Sequence, residues 1–184
     1  MHLVILDRDG VINEDSDAYI KSVDEWIPIP GSIDAIGMLY KAGFTIVVAT
    51  NQSGIGRQLF SLDELESMHD KLNALVKNAG GEIAGIYYCP HHPDDGCTCR
   101  KPRAGLIDTM ERELGISARG AFFIGDSIRD LEAGLGKGCT PILVRTGKGE
   151  KTLAKINAGN NTAFSGLTVY ANLAEAADAL VKTL

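Results

Sequence analysis

Directly after an apolar run, His2–Leu6, the chain reads Asp7-Arg8-Asp9-Gly10. Side chains alternate in direction along an extended segment, so Asp7 and Asp9 share a side while Arg8 points away. Two carboxylates at a strand end can hold a divalent cation, and one can act as nucleophile while the other moves a proton. A solvated acidic turn would read similarly. A calcium loop has its glycine at the sixth position and lies between helices, whereas Gly10 is fourth and follows a strand. Thr50 ends a second apolar run and leads into Asn51-Gln52-Ser53-Gly54-Ile55-Gly56-Arg57. A hydroxyl and small residues there allow close approach to a phosphoryl oxygen. The alternative is a polar turn whose glycines need positive φ. Neither a Gly-x4-Gly-Lys-Ser/Thr phosphate loop nor a dinucleotide fingerprint occurs. In Gly125-Asp126-Ser127-Ile128-Arg129-Asp130 the carboxylates of Asp126 and Asp130, four residues apart, can face one site. Helix capping would explain Asp126 but not Asp130. Lys101, in Cys99-Arg100-Lys101-Pro102, would be a surface charge taken alone.

A second cluster is Cys89-Pro90-His91, then five residues, then Cys97-Thr98-Cys99. Three thiolates and one imidazole suit a closed tetrahedral Zn²⁺, and four protein ligands leave no open position, so this ion is expected to be structural. His91 fits the Cys-x-His spacing better than His92. A zinc knuckle for nucleic acid would want aromatic residues between the ligands, but Asp94 and Asp95 stand there. Arg100 and Lys101 follow the last cysteine, so zinc would fix the loop that delivers two cations to the site. Arg100 would recognise a second anionic group.

These motifs need a frame that brings them together. Short β-rich runs at His2–Leu6, Phe44–Ala49, Ile83–Tyr88, Ala121–Ile124 and Pro141–Val144, with a short one at Thr168–Tyr170, alternate with amphipathic segments. The latter are Ser32–Lys41, a helix from Ser61 (with a Ser61/Glu64 capping box), Leu106–Leu114, Arg129–Leu135 and Leu173–Val181. The alternation predicts an α/β fold, a Rossmann-like, mostly parallel sheet with helices on both faces, as a single domain over 1–184. In such sheets ligands bind beyond the carboxyl ends of the strands, where all four polar signals fall. Residues 148–166 read as a helix and surface loop without a function, and Cys139 as a small core residue.

A net charge of −6 disfavours broad phosphate neutralisation of a nucleic acid. No apolar run approaches the roughly 20 residues of a membrane span. Charge follows the first apolar run rather than preceding it, so a buried strand and a cytoplasmic location are expected, not a secretion signal. Clustered cysteines fit a metal site better than a disulfide framework. A monomer is expected.

The order Asp-x-Asp, Thr, Lys, Gly-Asp-x3-Asp, from Asp7 to Asp130, resembles the haloacid-dehalogenase superfamily of aspartate-dependent phosphatases. The resemblance implies catalytic Mg²⁺ and an aspartyl-phosphate intermediate. Carried over, Asp7 attacks phosphorus, and Asp9 protonates the leaving oxygen and then activates water. Thr50 and Lys101 hold phosphoryl oxygens. Mg²⁺ would be bound by Asp7, the Asp9 carbonyl and Asp126, with Asp130 supporting them. Asp9 must be protonated when substrate binds, so its pKa is expected above the ordinary value of about 3.9.

The cysteine loop narrows the resemblance to two families, the D-glycero-D-manno-heptose 1,7-bisphosphate 7-phosphatases and the histidinol-phosphate phosphatases. Thr50–Arg57, Trp26–Gly31 and Leu143–Gly149 look more like the heptose enzymes, implying a small phosphorylated sugar as substrate and a heptose 1-phosphate product used for lipopolysaccharide or another surface glycan. Thr50–Arg57 also resembles polynucleotide 3′-phosphatases, against which stand the acidic balance and the cysteine loop. A non-enzymatic binding protein is disfavoured because every catalytic position is filled. The link from first strand to first helix is too short for a large cap, leaving specificity to residues 11–20, residues 51–57 and the cysteine loop. By resemblance Asp15, Ser16, Asp17, Asn51, Gln52 and Ser53 would contact the sugar.

Overall fold

The computed structural model describes residues 2–159 and 161–184. Its strands are β1 (His2–Leu6), β2 (Phe44–Asn51), β3 (Gly85–Cys89), β4 (Phe122–Gly125), β5 (Thr140–Val144) and β6 (Thr168–Tyr170). They form one parallel sheet in the order β3-β2-β1-β4-β5-β6. The helices are α1 (Ser32–Lys41), α2 (Ser53–Gly56), α3 (Leu62–Asn78), α4 (Gly105–Leu114), α5 (Ile128–Gly136), α6 (Gly149–Ala158) and α7 (Leu173–Val181).

Period-two alternation sorts the strand residues between two cores. Val4, Leu6, Ile46, Val48 and Ile124 pack with apolar residues of α1, α3 and α7. Leu3, Ile5, Val47, Ala49 and Phe123 face the other way, against Leu106, Ile107 and Met110 of α4 and Ala133 of α5. Burial on both faces is why these strands are nearly continuous apolar runs. Each fully buried aliphatic side chain contributes about 1.5–3 kcal/mol. Cys139 lies in the second core, its Sγ 3.3 Å from the Ala118 carbonyl oxygen.

Some boundaries differ from the sequence reading. β2 runs two residues beyond Ala49, because pairing with β3 carries Thr50 and Asn51 into the ladder. The third strand starts at Gly85 rather than Ile83, and Ile83 packs against the core. Residues 53–56, read as a loop, form one helical turn, and residues 93–95 a 3-10 turn. Within 148–166 lie α6 and a 3-10 turn at Thr162–Phe164, while Asn160 is outside the described residues.

Candidate active site

Leu6 pairs with Val48 on one side and Ile124 on the other. Residues 7, 49–50 and 125–126 therefore lie at the same height, at one end of the sheet. The strand order reverses between β1 and β4, where such folds open a crevice. A cavity of about 200 Å³ sits there, lined by Asp7, Asp9, Thr50, Lys101, Asp126 and Asp130 among others. Lys101 arrives from the loop after β3. Asn51 fixes that loop, accepting from the Lys101 N–H at 3.0 Å and donating to its carbonyl at 3.1 Å.

The Lys101 ammonium lies 2.9 Å from Asp7 Oδ1 and 2.7 Å from Asp130 Oδ1, and donates to the Ala49 carbonyl at 2.7 Å. Burial opposes its charge, but Asp130 and Asp7 outweigh that and raise its pKa. Asp130 gains from the same contact: burial would raise its pKa, yet Lys101 and Ser127 hold it low. Its Oδ2 accepts from the Ser127 N–H and hydroxyl at 3.0 and 2.8 Å. Asp130, not Asp126, therefore secures the start of α5.

Asp126 and Asp7 are left without enough positive charge. Burial, then Asp130, pushes Asp7 up to about 7 despite Lys101. Burial, then Asp7 and Asp130, pushes Asp126 up to about 8. Carboxylate oxygens of Asp7, Asp126 and Asp130 lie within 4.8 Å of one another. Hard oxygen donors gathered around an unanswered negative charge fit Mg²⁺, with Asp7 and Asp126 as the free ligands. Asp126 is itself braced: Oδ2 accepts from the Lys148 N–H, and its carbonyl accepts from Thr152 Oγ1, both at 2.8 Å. A Cβ at Gly10 (φ +84°) or Gly147 (φ +58°) would collide with that carboxylate.

Asp9 departs from expectation. Burial would raise its pKa, but the Arg8 guanidinium and hydrogen bonds from Asn13, Arg8 and Gln52 hold it below the ordinary value. Arg8 Nε and Nη2 reach Asp9 Oδ1 at 3.0 and 2.8 Å, Asn13 Nδ2 reaches the same oxygen at 2.8 Å, and Gln52 Nε2 reaches Oδ2 at 3.0 Å. The expected upward shift relied on a phosphate dianion, and the protein's own groups pull the other way. Arg8 is fully buried and its Nη1 is 3.2 Å from His69 Nε2. Arginine can only donate, so His69 accepts as neutral imidazole. Burial, then Arg8, pushes His69 down to about 3.

The expected sugar-contacting residues divide. Asp15, Ser16, Asp17, Asn51 and Ser53 line the cavity, as does Arg100. Gln52 does not: its amide also donates to Thr50 Oγ1 at 3.0 Å, so it orients Thr50 and Asp9. Gly54 and Gly56 have no positive φ. A side chain at Gly54 would strike Phe60, and one at Gly56 the backbone of Pro90–His92, so these glycines allow close packing rather than an unusual turn. Sequence reasoning missed Tyr19, Arg129 and Lys148 on the cavity wall and the Arg8–His69 support. Arg129 did carry a signal, a basic residue in the first turn of a helix, where the dipole favours acids.

Cys89, His91, Cys97 and Cys99 converge with their ligand atoms within 4.8 Å of one another. Cys89 Sγ is 3.6 Å from Cys97 Sγ and 3.5 Å from His91 Nδ1, which is 3.2 Å from Cys99 Sγ. Tetrahedral bonds of about 2.3 Å imply ligand separations of roughly 3.8 Å, so the set suits Zn²⁺. His92 is used otherwise: its Nδ1 accepts from the Asp94 N–H at 3.2 Å.

A sequence model of the HAD-hydrolase-like family matches residues 98–176. D-glycero-β-D-manno-heptose-1,7-bisphosphate 7-phosphatase of Pseudomonas putida is 59% identical over 155 residues, covering 84% of this chain and 89% of that one. The Pseudomonas aeruginosa enzyme of the same name is 52% identical over 180 residues, 98% of each chain. The crystal structure of the Bordetella bronchiseptica D,D-heptose 1,7-bisphosphate phosphatase with magnesium and phosphate superimposes with a TM-score of 0.93 at 47% identity, over 100% of both chains. The carboxylates at the sheet's switch point thus belong to a phosphoric monoester hydrolase of the haloacid-dehalogenase superfamily, and the chain is a member of the D-glycero-β-D-manno-heptose-1,7-bisphosphate 7-phosphatase family.

Proposed function

We propose that this protein removes the 7-phosphate of D-glycero-β-D-manno-heptose 1,7-bisphosphate, and that one domain spanning 1–184 does so as a cytoplasmic monomer. The observation that carries the reading is the convergence of Asp7, Asp126 and Lys101 beneath a small polar cavity whose wall includes Arg100. Among the described residues no helix is long and apolar enough to cross a membrane, and the net charge of −6 argues against a nucleic-acid substrate.

In the first step an Asp7 carboxylate oxygen bonds to phosphorus as the bond from phosphorus to the sugar oxygen breaks, and Asp9 gives that oxygen its proton. In the second, Asp9 takes a proton from water, the water oxygen bonds to phosphorus, and the bond to Asp7 breaks, releasing phosphate. Lys101 and Thr50 hold the phosphoryl oxygens, while Asn51 and Gln52 keep them aimed. Mg²⁺ held by Asp7, the Asp9 carbonyl and Asp126 would supply the charge neutralisation that lets a carboxylate approach a phosphate dianion. Asp15, Ser16, Asp17 and Ser53 face the sugar, and Arg100 faces its other phosphate.

Phosphate release with Mg²⁺ tests this on both anomers of the heptose bisphosphate, histidinol phosphate and a 3′-phosphorylated oligonucleotide. The β anomer is expected to give the highest kcat/KM. A preference for histidinol phosphate or the oligonucleotide would refute the substrate assignment.

A further inference from the structure

The cavity wall carries two positive charges that no acidic side chain answers. Arg100 comes from the loop that leaves the cysteine cluster, and Arg129 from the first turn of α5. Among the described residues neither forms an ion pair. The cavity's other two cations are both engaged: Lys101 with Asp7 and Asp130, and Lys148 with Asp15 at 3.3 Å. Arg100 also buries its Nη1 with no hydrogen-bond partner, an unfavourable state for a guanidinium N–H. The two arginines line the same small cavity, so their charges share one confined space. Arg129 adds a further conflict by placing a cation at the positive end of a helix. It is exposed, so packing does not explain it.

One anionic group between the two guanidinia would relieve all of these conflicts together. We propose that Arg129 is a specificity residue that joins Arg100 to seat the second phosphate of the substrate, the one that is not removed. The inference rests on the reading that the substrate is a sugar bisphosphate. A phosphate dianion can accept from two planar guanidinium forks at once, which fixes orientation as well as position. Anchoring one end at Arg100 and Arg129 delivers the opposite phosphate to Asp7. A monophosphate product turned end for end would lack that anchor, so the enzyme stops after one cleavage.

The test compares wild type, Arg129→Gln and Arg129→Lys on the heptose 1,7-bisphosphate and on the heptose 7-phosphate that lacks the second phosphate. Arg129→Gln should lower kcat/KM for the bisphosphate about 10- to 100-fold, mainly through KM, and leave the 7-phosphate within about twofold. Arg129→Lys should recover part of the loss, more at low salt than at high salt. An equal loss on both substrates would overturn the proposal, because Arg129 would then act only through α5 and its aspartates. No loss on the bisphosphate would overturn it too. A wild-type enzyme with no preference for the bisphosphate would instead remove the bisphosphate reading on which the proposal stands, a result visible without any variant.

Discussion

The unanswered negative charge at Asp7 and Asp126 makes stability depend on pH in an unusual direction. An acid whose folded pKa lies above its unfolded value keeps an extra proton in the folded state, so stability falls as pH rises through that interval. With Asp7 at about 7 and Asp126 at about 8, the fall continues past neutrality. His69 works oppositely, because its folded pKa of about 3 lies below its unfolded value. All but about 0.4 kcal/mol of its gain is in place by about pH 6.5, and the rest is complete about one pH unit higher. Asp9 and Asp130 are held low, so their contributions are lost only as the medium becomes strongly acidic. Between pH 6.5 and 8 the folded state carries on average about one excess proton, and at about 1.4 kcal/mol per proton per pH unit it loses about 2 kcal/mol. For a chain of this length that is a fall in Tm of about 4–8 °C.

The assay is thermal unfolding of protein freed of Mg²⁺ by buffer exchange, which leaves zinc in place. Saturating Mg²⁺ should reverse the trend, since a cation bound only by the folded, deprotonated site adds about 2.7 kcal/mol at 100 times its Kd and binds better at pH 8 than at 6.5. Asp126→Asn, which cannot titrate, should show a shallower fall without Mg²⁺. A Tm that is level or rising from pH 6.5 to 8 in the Mg²⁺-free protein would refute the reasoning, because the two carboxylates could not then be short of positive charge.

Asp7→Asn should cut turnover below about one part in a thousand while circular dichroism stays unchanged, and appreciable phosphate release would end the covalent mechanism. Gly147→Ala should raise the Mg²⁺ concentration for half-maximal activity by about tenfold, because its Cβ would push the Asp126 carboxylate aside, and an unchanged Mg²⁺ titration would show that the brace does not matter. Withdrawing zinc should lower Tm and activity together, since the loop that carries Lys101 loses its anchor, while Mg²⁺ is still required. Full activity in protein shown by metal analysis to be zinc-free would remove the structural role of the Cys89–Cys99 loop.

Much of the site was legible because it depends on chain position more than on packing. Asp7, Thr50 and Asp126 each follow an apolar run, and parallel strands in register carry such positions to one edge without further instruction. The Cys-x-His and Cys-x-Cys pairs announce a metal by residue type alone. Partners decided within the packed structure were not legible. Gln52 and Ser53 are neighbours of similar polarity, yet one turns inward onto Asp9 and Thr50 and the other faces the cavity. Arg8 was expected to point away, and it is not among the cavity-lining residues that include Asp7 and Asp9, but nothing in Asp7-Arg8-Asp9-Gly10 indicates that its guanidinium folds back onto Asp9 and meets a histidine 61 residues along. Lys148 and Thr152 serve Asp126 only because the turn after β5 passes over it.

Arg8 also bears on how one carboxyl serves two half-reactions. On the proposed roles, Asp9 must donate a proton in the first step and accept one in the second. A strong upward pKa shift would favour the donor and starve the second step of base. The donors around Asp9 do the reverse and favour its carboxylate. An incoming phosphate dianion opposes them and promotes protonation. As the bond to the sugar oxygen breaks, that oxygen becomes basic and takes the proton, and the carboxylate left behind is the form Arg8 binds best. The Arg8 contacts at 2.8 and 3.0 Å therefore strengthen as charge returns to Asp9, which is stabilisation of the transition state rather than of bound substrate. A protonated His69 would repel the guanidinium and loosen this support. Burial keeps the imidazole neutral, so the Arg8 charge stays directed at Asp9 through both steps.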